Sequence, residues 1–438
     1  MQAMVIAIAA FSAALGLMLL RVPVAVAAGI VGLAGMLWLQ GWASLAVGLG
    51  GAFPADTPLV IPLFVMMGVF VSQTGLSRRL YDAAYSVVGQ CRGGLAMAAL
   101  IAGAAFGAIC GSAVAAAATM CRTALPDMRR HGYADGVSAA SIATGSTLGL
   151  LLPPSILLML YALLTGQSLA RLYIAALLPG LLGMALYLAA IWLRALRDPK
   201  AAPAGPPMPW PQRGRRLADI WPLLLLFMLV IGGMFMGWLD AEHAGALGAV
   251  VALIFALSDG ALGGGTLGGG GMNGARFKAS LLETAQTSGM VFLVLIGVGM
   301  FAAFLMMAGL PSALAADLAA SGINPVLFLL LLALAYWLLG SVLDDLAAIV
   351  LTLPFVFPMA QALGIDAIWF GIYLLTIVEI GMVLPPLGML LFVMQGSTGV
   401  NALAIMRGML PFMLANLLRL ALLIAFPALA LALPGMMD

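Results

Sequence analysis

Two short motifs interrupt apolar sequence with residues that break helices. These motifs are Gly111-Ser112 and Pro153-Pro154. Proline fixes its own φ, lacks an amide hydrogen and pushes the preceding residue out of the helical region, so a proline pair interrupts a helix. Inside a bilayer, the carbonyls and amides that a broken helix releases need protein, water or bound ions as partners. Two such breaks within residues 109–155 therefore predict a binding site.

The same landmarks recur in the second half of the chain. Four of them return at nearly constant offsets of 229 to 234 residues, as Gly75 and Gly309, Gly111 and Gly340, Pro153 and Pro385, and Pro179 and Pro411. Each half has an odd number of predicted crossings, so the second copy inserts in the opposite orientation. Inverted repeats bring broken helices and hairpin tips together near the midplane of many secondary transporters. We therefore expect the substrate and ion site at the interface between the repeats.

The candidate ligands lie at the hairpin tips and helix breaks. The first half of a broken helix ends in free carbonyls, which suit a cation. The second half begins with free amides, which suit a carboxylate. We assign Na⁺ ligation to hydroxyl or main-chain oxygens of Gly111, Ser112, Thr147, Gly149, Leu152, Gly340, Ser341, Met382 and Leu384. We assign substrate binding to Ser112, Ser155, Ser341 and Asp344.

Some of these residues also have an ordinary structural interpretation. Ser112 and Ser341 are each placed to cap the second arm of a hairpin, because serine satisfies a free amide there. Asp344 lies three residues after Ser341, which is the spacing of a capping box. An ionisable group at membrane depth nevertheless indicates a functional role for Asp344. The same argument applies to Asp345, but more weakly. Glu379, also within an apolar span, either lines a cavity or forms a tether with Arg407 or Arg419.

Composition places these motifs in an integral membrane protein. The 438 residues are 64% hydrophobic and 8% charged, with a mean hydropathy of +1.17, which lies outside the range of soluble proteins. Apolar segments of roughly 17 to 25 residues cross about 30 Å of hydrocarbon as helices. The alternation of a transmembrane barrel is missing. The predicted fold is an all-α polytopic membrane protein.

The landmarks also predict the domain boundaries. The first repeat covers residues 1–197 and the second covers 218–438, separated by a flexible basic linker at 198–217. Lys and Arg are concentrated in and beside this linker, which the positive-inside rule places in the cytoplasm. We expect re-entrant hairpins at 94–121 and 325–358, broken helices at 137–161 and 367–393, and a Gly-rich loop at 260–274.

Enzymatic chemistry and nucleotide binding have little support. His131 and His243 fall at segment ends, and neither H-E-x-x-H nor G-x-S-x-G occurs. The Gly-rich loop follows no strand and precedes no GKS or GKT, so no ATP site is expected. Neither nucleic acid nor a disulfide framework is expected, and the lipid bilayer is the expected surrounding. A membrane scaffold without transport activity stays as a remote alternative.

Several motifs resemble the large membrane subunit of tripartite ATP-independent periplasmic (TRAP) transporters. The resemblance runs in order from Val22-Pro23-Val24 to about Pro411. It rests on residues 111–115, 132–133, 148–155, 340–344 and 379–388, which include both proline pairs. In two positions the chain departs from the family pattern. Cys110 stands where serine is frequent and Leu384 where threonine is frequent, so each removes a side-chain oxygen near a cation site.

The resemblance implies an elevator-type transporter in the bacterial inner membrane that is driven by a Na⁺ gradient. It implies two partners, a small four-helix membrane subunit and a soluble periplasmic binding protein that delivers an organic anion. The predicted function is Na⁺-coupled import of such an anion, and a carboxylate is favoured. A stand-alone dicarboxylate carrier of similar architecture, coupled to H⁺ or Na⁺, is the alternative that the sequence leaves open.

Overall fold

The computed structural model describes residues 2–43, 59–261, 272–340, 343–383 and 388–437. Within these ranges the chain is helical, and its one β-type pairing is an isolated bridge between Arg92 and Ala204. The all-α class predicted from composition is confirmed. Leu384, Pro385, Pro386 and Ser341 lie outside the described residues, as does most of the Gly-rich loop.

The first half of the chain consists of ten helices in the described ranges. In chain order they are α1 Gln2–Leu19, α2 Val24–Gln40, α3 Val60–Ser72, α4 Leu76–Val88, α5 Gly94–Cys110, α6 Ala113–Arg130, α7 Asp135–Leu148, α8 Ile156–Thr165, α9 Leu169–Arg197 and α10 Trp210–Ala218. Helices α3 and α4 bend by 70° relative to each other. The bend occurs because Gly75 adopts a left-handed conformation, with φ of 64°, and precedes α4 as its N-cap.

The second half follows a similar order. Its helices are α11 Trp221–Phe235, α12 Ala241–Ala261, α13 Gly274–Met307, α14 Leu310–Ser321, α15 Pro325–Gly340, α16 Asp345–Ala362, α17 Ala367–Val383, α18 Met389–Thr398, α19 Ala402–Ala425 and α20 Ala428–Leu431. A π-helical turn, Met228–Gly232, interrupts α11. In both halves a pair of helices joined by a short tip is followed by a pair separated at a proline motif.

Long apolar helices support membrane insertion. Among the described residues, five helices are long and apolar enough to cross a bilayer, namely α9, α12, α13, α16 and α19. The number rises to seven if each bent pair, α3 with α4 and α10 with α11, is one span. Most of the remaining helices, including α5, α8, α15 and α18, are shorter apolar segments. Such lengths suit half-helices and hairpin arms better than complete crossings.

The basic linker differs from its prediction as a flexible segment. Its chain packs against the ends of α4 to α7. The amides of Gly93 and Ala134 donate to the linker carbonyls of Ala202 and Ala201, and the linker amide of Gly205 donates to the carbonyl of Gly89, each over 3.0 Å. Ala202 is fully buried, and residues from Trp210 onward form α10. The prediction was wrong because Pro and Ala composition predicts irregular backbone, which can still be fixed by partners elsewhere in the chain.

A buried tyrosine fastens this linker. The hydroxyl of Tyr133 donates to the carbonyl of Pro203 over 2.6 Å and accepts the amide of Leu95 over 3.2 Å. Burial raises the pKa of Tyr133 to about 12, so the phenol keeps its proton near neutral pH. On α10, Arg216 forms an ion pair of 2.8 Å with Asp82 on α4. The linker is therefore a docked segment.

The core contains reciprocal contacts between the halves. Helix α8 contacts α16 and α17, whereas α18 contacts α6 and α7. Helix α9 of the first half packs against both α17 and α19 of the second. Each proline-interrupted helix pair therefore packs against the hairpin of the other half. The assignment of these elements to inverted repeats stays a prediction.

Candidate functional site

The first hairpin tip turns at Gly111. This residue ends α5 with φ of 66°, a left-handed value that favours glycine, and its amide donates to the carbonyl of Gly107 over 2.9 Å. Ser112 then caps α6, since its hydroxyl accepts the amide of Ala115 over 3.3 Å. The predicted cap at Ser112 is confirmed. The tip brings the carbonyl end of one helix next to the amide end of another.

The break between α7 and α8 releases main-chain carbonyls. The amides of Gly149 and Leu150 donate to the carbonyl of Thr147. A continuous helix would bond these amides to the carbonyls of Gly145 and Ser146 instead. Those two carbonyls therefore lose their usual partners at the point where the helix ends.

The first tip packs directly against this break. A Cβ added at Gly149 would lie 2.6 Å from backbone atoms of Gly107 and Ala108, and one added at Gly107 would lie 2.8 Å from the Ser146 oxygen. A side chain at Gly111 would meet Ile156, the first residue of α8, at 2.5 Å. The absence of side chains at these positions lets the tip and the break approach closely. Carbonyls from two elements consequently lie near one another.

The hydroxyls assigned from the sequence already have hydrogen-bond partners. Thr147 is fully buried and donates to the carbonyl of Thr144 over 3.0 Å. The Ser155 hydroxyl donates to the carbonyl of Leu150 and caps α8 by accepting the amide of Leu158 over 3.3 Å. Hydroxyl and carbonyl oxygens are the ligands that hard cations take in proteins. The local donor set therefore suits Na⁺, and the assignment of individual ligands, including Leu152, stays a prediction.

The second hairpin begins its return arm differently. Asp344 caps α16 by accepting the amide of Ala347 over 2.8 Å, so the expectation that Ser341 provides this cap was wrong. The carboxylate of Asp345 accepts the amide of Leu346 over 3.0 Å. An aspartate at this position is also favoured by the positive end of the helix dipole. Both half-buried carboxylates thus bond to helix amides.

The second tip also meets the second break. A Cβ added at Gly340 would lie 2.9 Å from backbone atoms of Gly381, the residue before Met382 near the end of α17. The predicted ligand Leu384 falls just beyond the described part of α17. Gly340 and Met382 therefore lie near each other, as Gly111 and Gly149 do in the first half.

A pocket opens beside the second tip. It has a volume of about 390 Å³ and is lined by the turn between α1 and α2, by α13, and by the start of α16. Its lining residues include Arg21, Met290, Asp344, Ala347 and Met389. Of the described residues assigned to the substrate, Asp344 is the one that lines this pocket. The sequence interpretation overlooked Arg21, although a cation directly before Val22-Pro23 is a visible signal.

A buried polar cluster resolves the two interpretations of Glu379. The Glu379 carboxylate accepts hydrogen bonds from the Arg419 guanidinium over 2.7 Å and from the Tyr187 hydroxyl over 2.9 Å. The Tyr187 hydroxyl also contacts the side-chain oxygen of Asn416, and the Glu379 and Arg419 side chains are each 1% exposed. Glu379 therefore tethers α17 to α19 and α9. The sequence analysis named Arg419 only as an alternative to Arg407 and did not identify Tyr187 or Asn416.

The comparisons with known proteins cover nearly the whole chain. Residues 11–429 match the family described as "Tripartite ATP-independent periplasmic transporter, DctM component". The chain is 33% identical to the C4-dicarboxylate TRAP transporter large permease protein DctM of Pseudomonas aeruginosa, over 90% of this chain and 89% of that protein. It is 30% identical to the sialic acid TRAP transporter large permease protein SiaM of Vibrio cholerae, over 88% and 87% of the two chains.

A further relative and a solved structure extend the comparison. The chain is 28% identical to the isethionate TRAP transporter permease protein DctMQ of Oleidesulfovibrio alaskensis, over 94% of this chain and 64% of that protein. The fold is similar to the YdaH transporter of Alcanivorax borkumensis, with a TM-score of 0.62 at 17% identity over 89% of this chain and 90% of that one. The solved structure therefore shares the helical fold of this chain.

Proposed function

This chain belongs to the DctM family of tripartite ATP-independent periplasmic transporters, as a multi-pass large permease subunit in the inner membrane, and we propose that it imports an organic anion together with Na⁺. Its family consists of transporters rather than enzymes. A carboxylate is the proposed anion. The named substrates of the relatives, C4-dicarboxylate, sialic acid and isethionate, are all organic anions.

The observation that carries the Na⁺ proposal is the pair of carbonyls released at the first break. The carbonyls of Gly145 and Ser146 lose their helical partners where the hairpin packs against the break, beside Gly107. Carbonyls freed near the midplane need a replacement for the lost hydrogen bonds, and a cation supplies one. Cys110 does not remove this capacity, because the donor set that we propose consists of main-chain oxygens together with the Ser112 hydroxyl.

Coupling to Na⁺ would supply the free energy for accumulation. One positive charge that moves through about 100 mV yields roughly 2.3 kcal/mol. Two cations in excess of the substrate charge would therefore yield several kcal/mol per cycle. The proposed mechanism is an elevator in which the hairpins and broken helices move together. The reciprocal contacts of α8 with α16 and of α18 with α6 support this grouping.

The proposed assembly includes two partners. A soluble periplasmic binding protein delivers the anion, and a small four-helix membrane subunit completes the membrane complex. The tripartite description of the family supports both partners. We accordingly propose that the isolated chain transports poorly.

Reconstitution of the three proteins in vesicles tests this proposal. We expect an inward Na⁺ gradient to drive uptake of radiolabelled succinate, sialic acid or isethionate, and replacement of Na⁺ by K⁺ to abolish it. Uptake that ignores Na⁺ but collapses with the pH gradient would overturn Na⁺ coupling in favour of H⁺. Full uptake without the binding protein would identify a stand-alone carrier instead.

Ser112→Ala is expected to raise the Na⁺ concentration for half-maximal uptake by about tenfold, because a ligand oxygen at the tip is lost. Loss of the cap also costs about 1 kcal/mol of stability. Ser168→Ala is the matched control, since Ser168 caps α9 by accepting the amide of Arg171 over 3.4 Å. Equal Na⁺ requirements in the two variants would contradict a cation role for Ser112.

A further inference from the structure

Arg21 occupies a backbone position that favours glycine. Its φ of 66° is left-handed, and within the described ranges it is the one residue other than glycine with a positive φ. The amide of Arg21 donates to Met18 over 2.8 Å and that of Val22 donates to Leu17 over 3.1 Å. These two bonds form the Schellman motif that ends many helices, usually with glycine in the place of Arg21. The backbone alone therefore gives no reason for an arginine here.

The side chain of Arg21 is exposed. Within the described part of the chain it forms no ion pair and donates no side-chain hydrogen bond. A guanidinium carries five donors in a planar fork that fits a carboxylate or a similar anion. No described residue of the chain uses this binding capacity.

Arg21 lines the pocket of about 390 Å³ beside the second hairpin tip. Of the residues that line this pocket, Arg21 and Asp344 are the charged ones. Arg21 is therefore the one cation among the described residues that line the pocket. Asp344 repels an anion and attracts a cation. The pocket consequently offers one group that suits an anion and one that suits a cation.

We propose that Arg21 binds the anionic group of the transported substrate in this pocket, while Asp344 faces the accompanying cation. This inference rests on the proposed transport of an organic anion. The anionic group is a carboxylate or a sulfonate, because either accepts two parallel hydrogen bonds from a guanidinium. Met290 and Met389 provide adaptable apolar walls for the rest of the molecule.

The position of Arg21 also limits when the contact forms. Arg21 lies between α1 and α2, and α2 packs against α13, whereas Asp344 belongs to the hairpin. Movement of the hairpin relative to α2 and α13 changes the distance between the two charges. Arg21 therefore binds the anion at one end of the transport cycle and releases it when the hairpin moves.

Arg21→Gly separates this role from a structural one. Glycine suits a φ of 66°, so the melting temperature of the variant is expected to equal or exceed that of the wild type. At the same time we expect kcat/KM for uptake of succinate, sialic acid or isethionate, whichever the wild type transports, to fall about tenfold or more. Arg21→Lys should recover part of the loss, because it keeps the charge without the fork.

Two comparisons decide the outcome. A kcat/KM in Arg21→Gly equal to that of the wild type would overturn substrate binding by Arg21. This outcome does not depend on whether uptake by the wild type requires Na⁺, so the proposal for Arg21 and the proposal of Na⁺ coupling fail separately. The measurements are repeated in phosphatidylcholine vesicles with and without phosphatidylglycerol. A defect that disappears without the anionic lipid would assign Arg21 to lipid headgroups and would also overturn substrate binding. A defect that persists in both vesicles supports it.

Discussion

Replacement of Arg419 by methionine is expected to lower the free energy of unfolding by about 3–5 kcal/mol, because it leaves the carboxylate of Glu379 buried without its cation. The pair is joined over 2.7 Å, and each side chain is 1% exposed. No solvent is available to replace the lost partner. The change in unfolding free energy can be measured by SDS titration of the purified chain in mixed micelles.

A second substitution tests whether the loss comes from the unpaired charge. In the double variant Arg419→Met with Glu379→Leu, no buried charge remains, and we expect at least half of the lost stability to return. Arg407→Met is the matched control, because Arg407 lies exposed on the same helix, and its change should stay within about 0.5 kcal/mol. Equal effects at positions 407 and 419 would refute the tether.

Gly149→Ala is expected to reduce transport at least tenfold and to cost about 1–3 kcal/mol of stability. The new methyl group would lie 2.6 Å from backbone atoms of Gly107 and Ala108, well below a normal carbon contact of about 3.5–4.0 Å. Backbone cannot rotate away as a side chain can, so α5 and the break must separate by about 1 Å. Displacements of this size in a binding site reduce rates by large factors.

The control for this substitution is Gly396→Ala on α18. A Cβ at Gly396 meets no atom within 4 Å, and alanine in a helix is more stable than glycine by up to about 1 kcal/mol. We expect normal transport and equal or greater stability in this variant. Uptake and unfolding are measured for both variants side by side. Normal Na⁺-driven uptake by Gly149→Ala would show that the tip and the break need not touch as closely as they do.

Local chemistry explains why part of the site could be predicted from the sequence. The break before Pro153-Pro154 follows from ring geometry and a missing amide hydrogen, which act within one turn of helix. The turn at Gly111 and the cap at Ser112 likewise depend on adjacent backbone groups. The corresponding cap in the second half was assigned to Ser341 and belongs to Asp344. The two tips are thus equivalent in position but not in the residue that caps the helix.

The docked linker shows why composition was insufficient elsewhere. Its Pro-rich sequence correctly indicated irregular backbone, but hydrogen bonds with Gly89, Gly93 and Ala134, which are distant in the chain, fix that backbone. Whether an irregular segment moves depends on partners that its own residues do not encode. Packing in three dimensions supplies those partners.

The sequence by itself determined the membrane class, the family resemblance, and the positions of the first tip and the first break, because hydropathy, glycine and proline act through nearby atoms. Only the tertiary structure decided which distant groups meet. It paired Glu379 with Arg419 rather than Arg407, and it placed Arg21 in one pocket with Asp344. Such pairings depend on how whole helices pack against one another, which is set by the combined surfaces of several elements and not by any single segment.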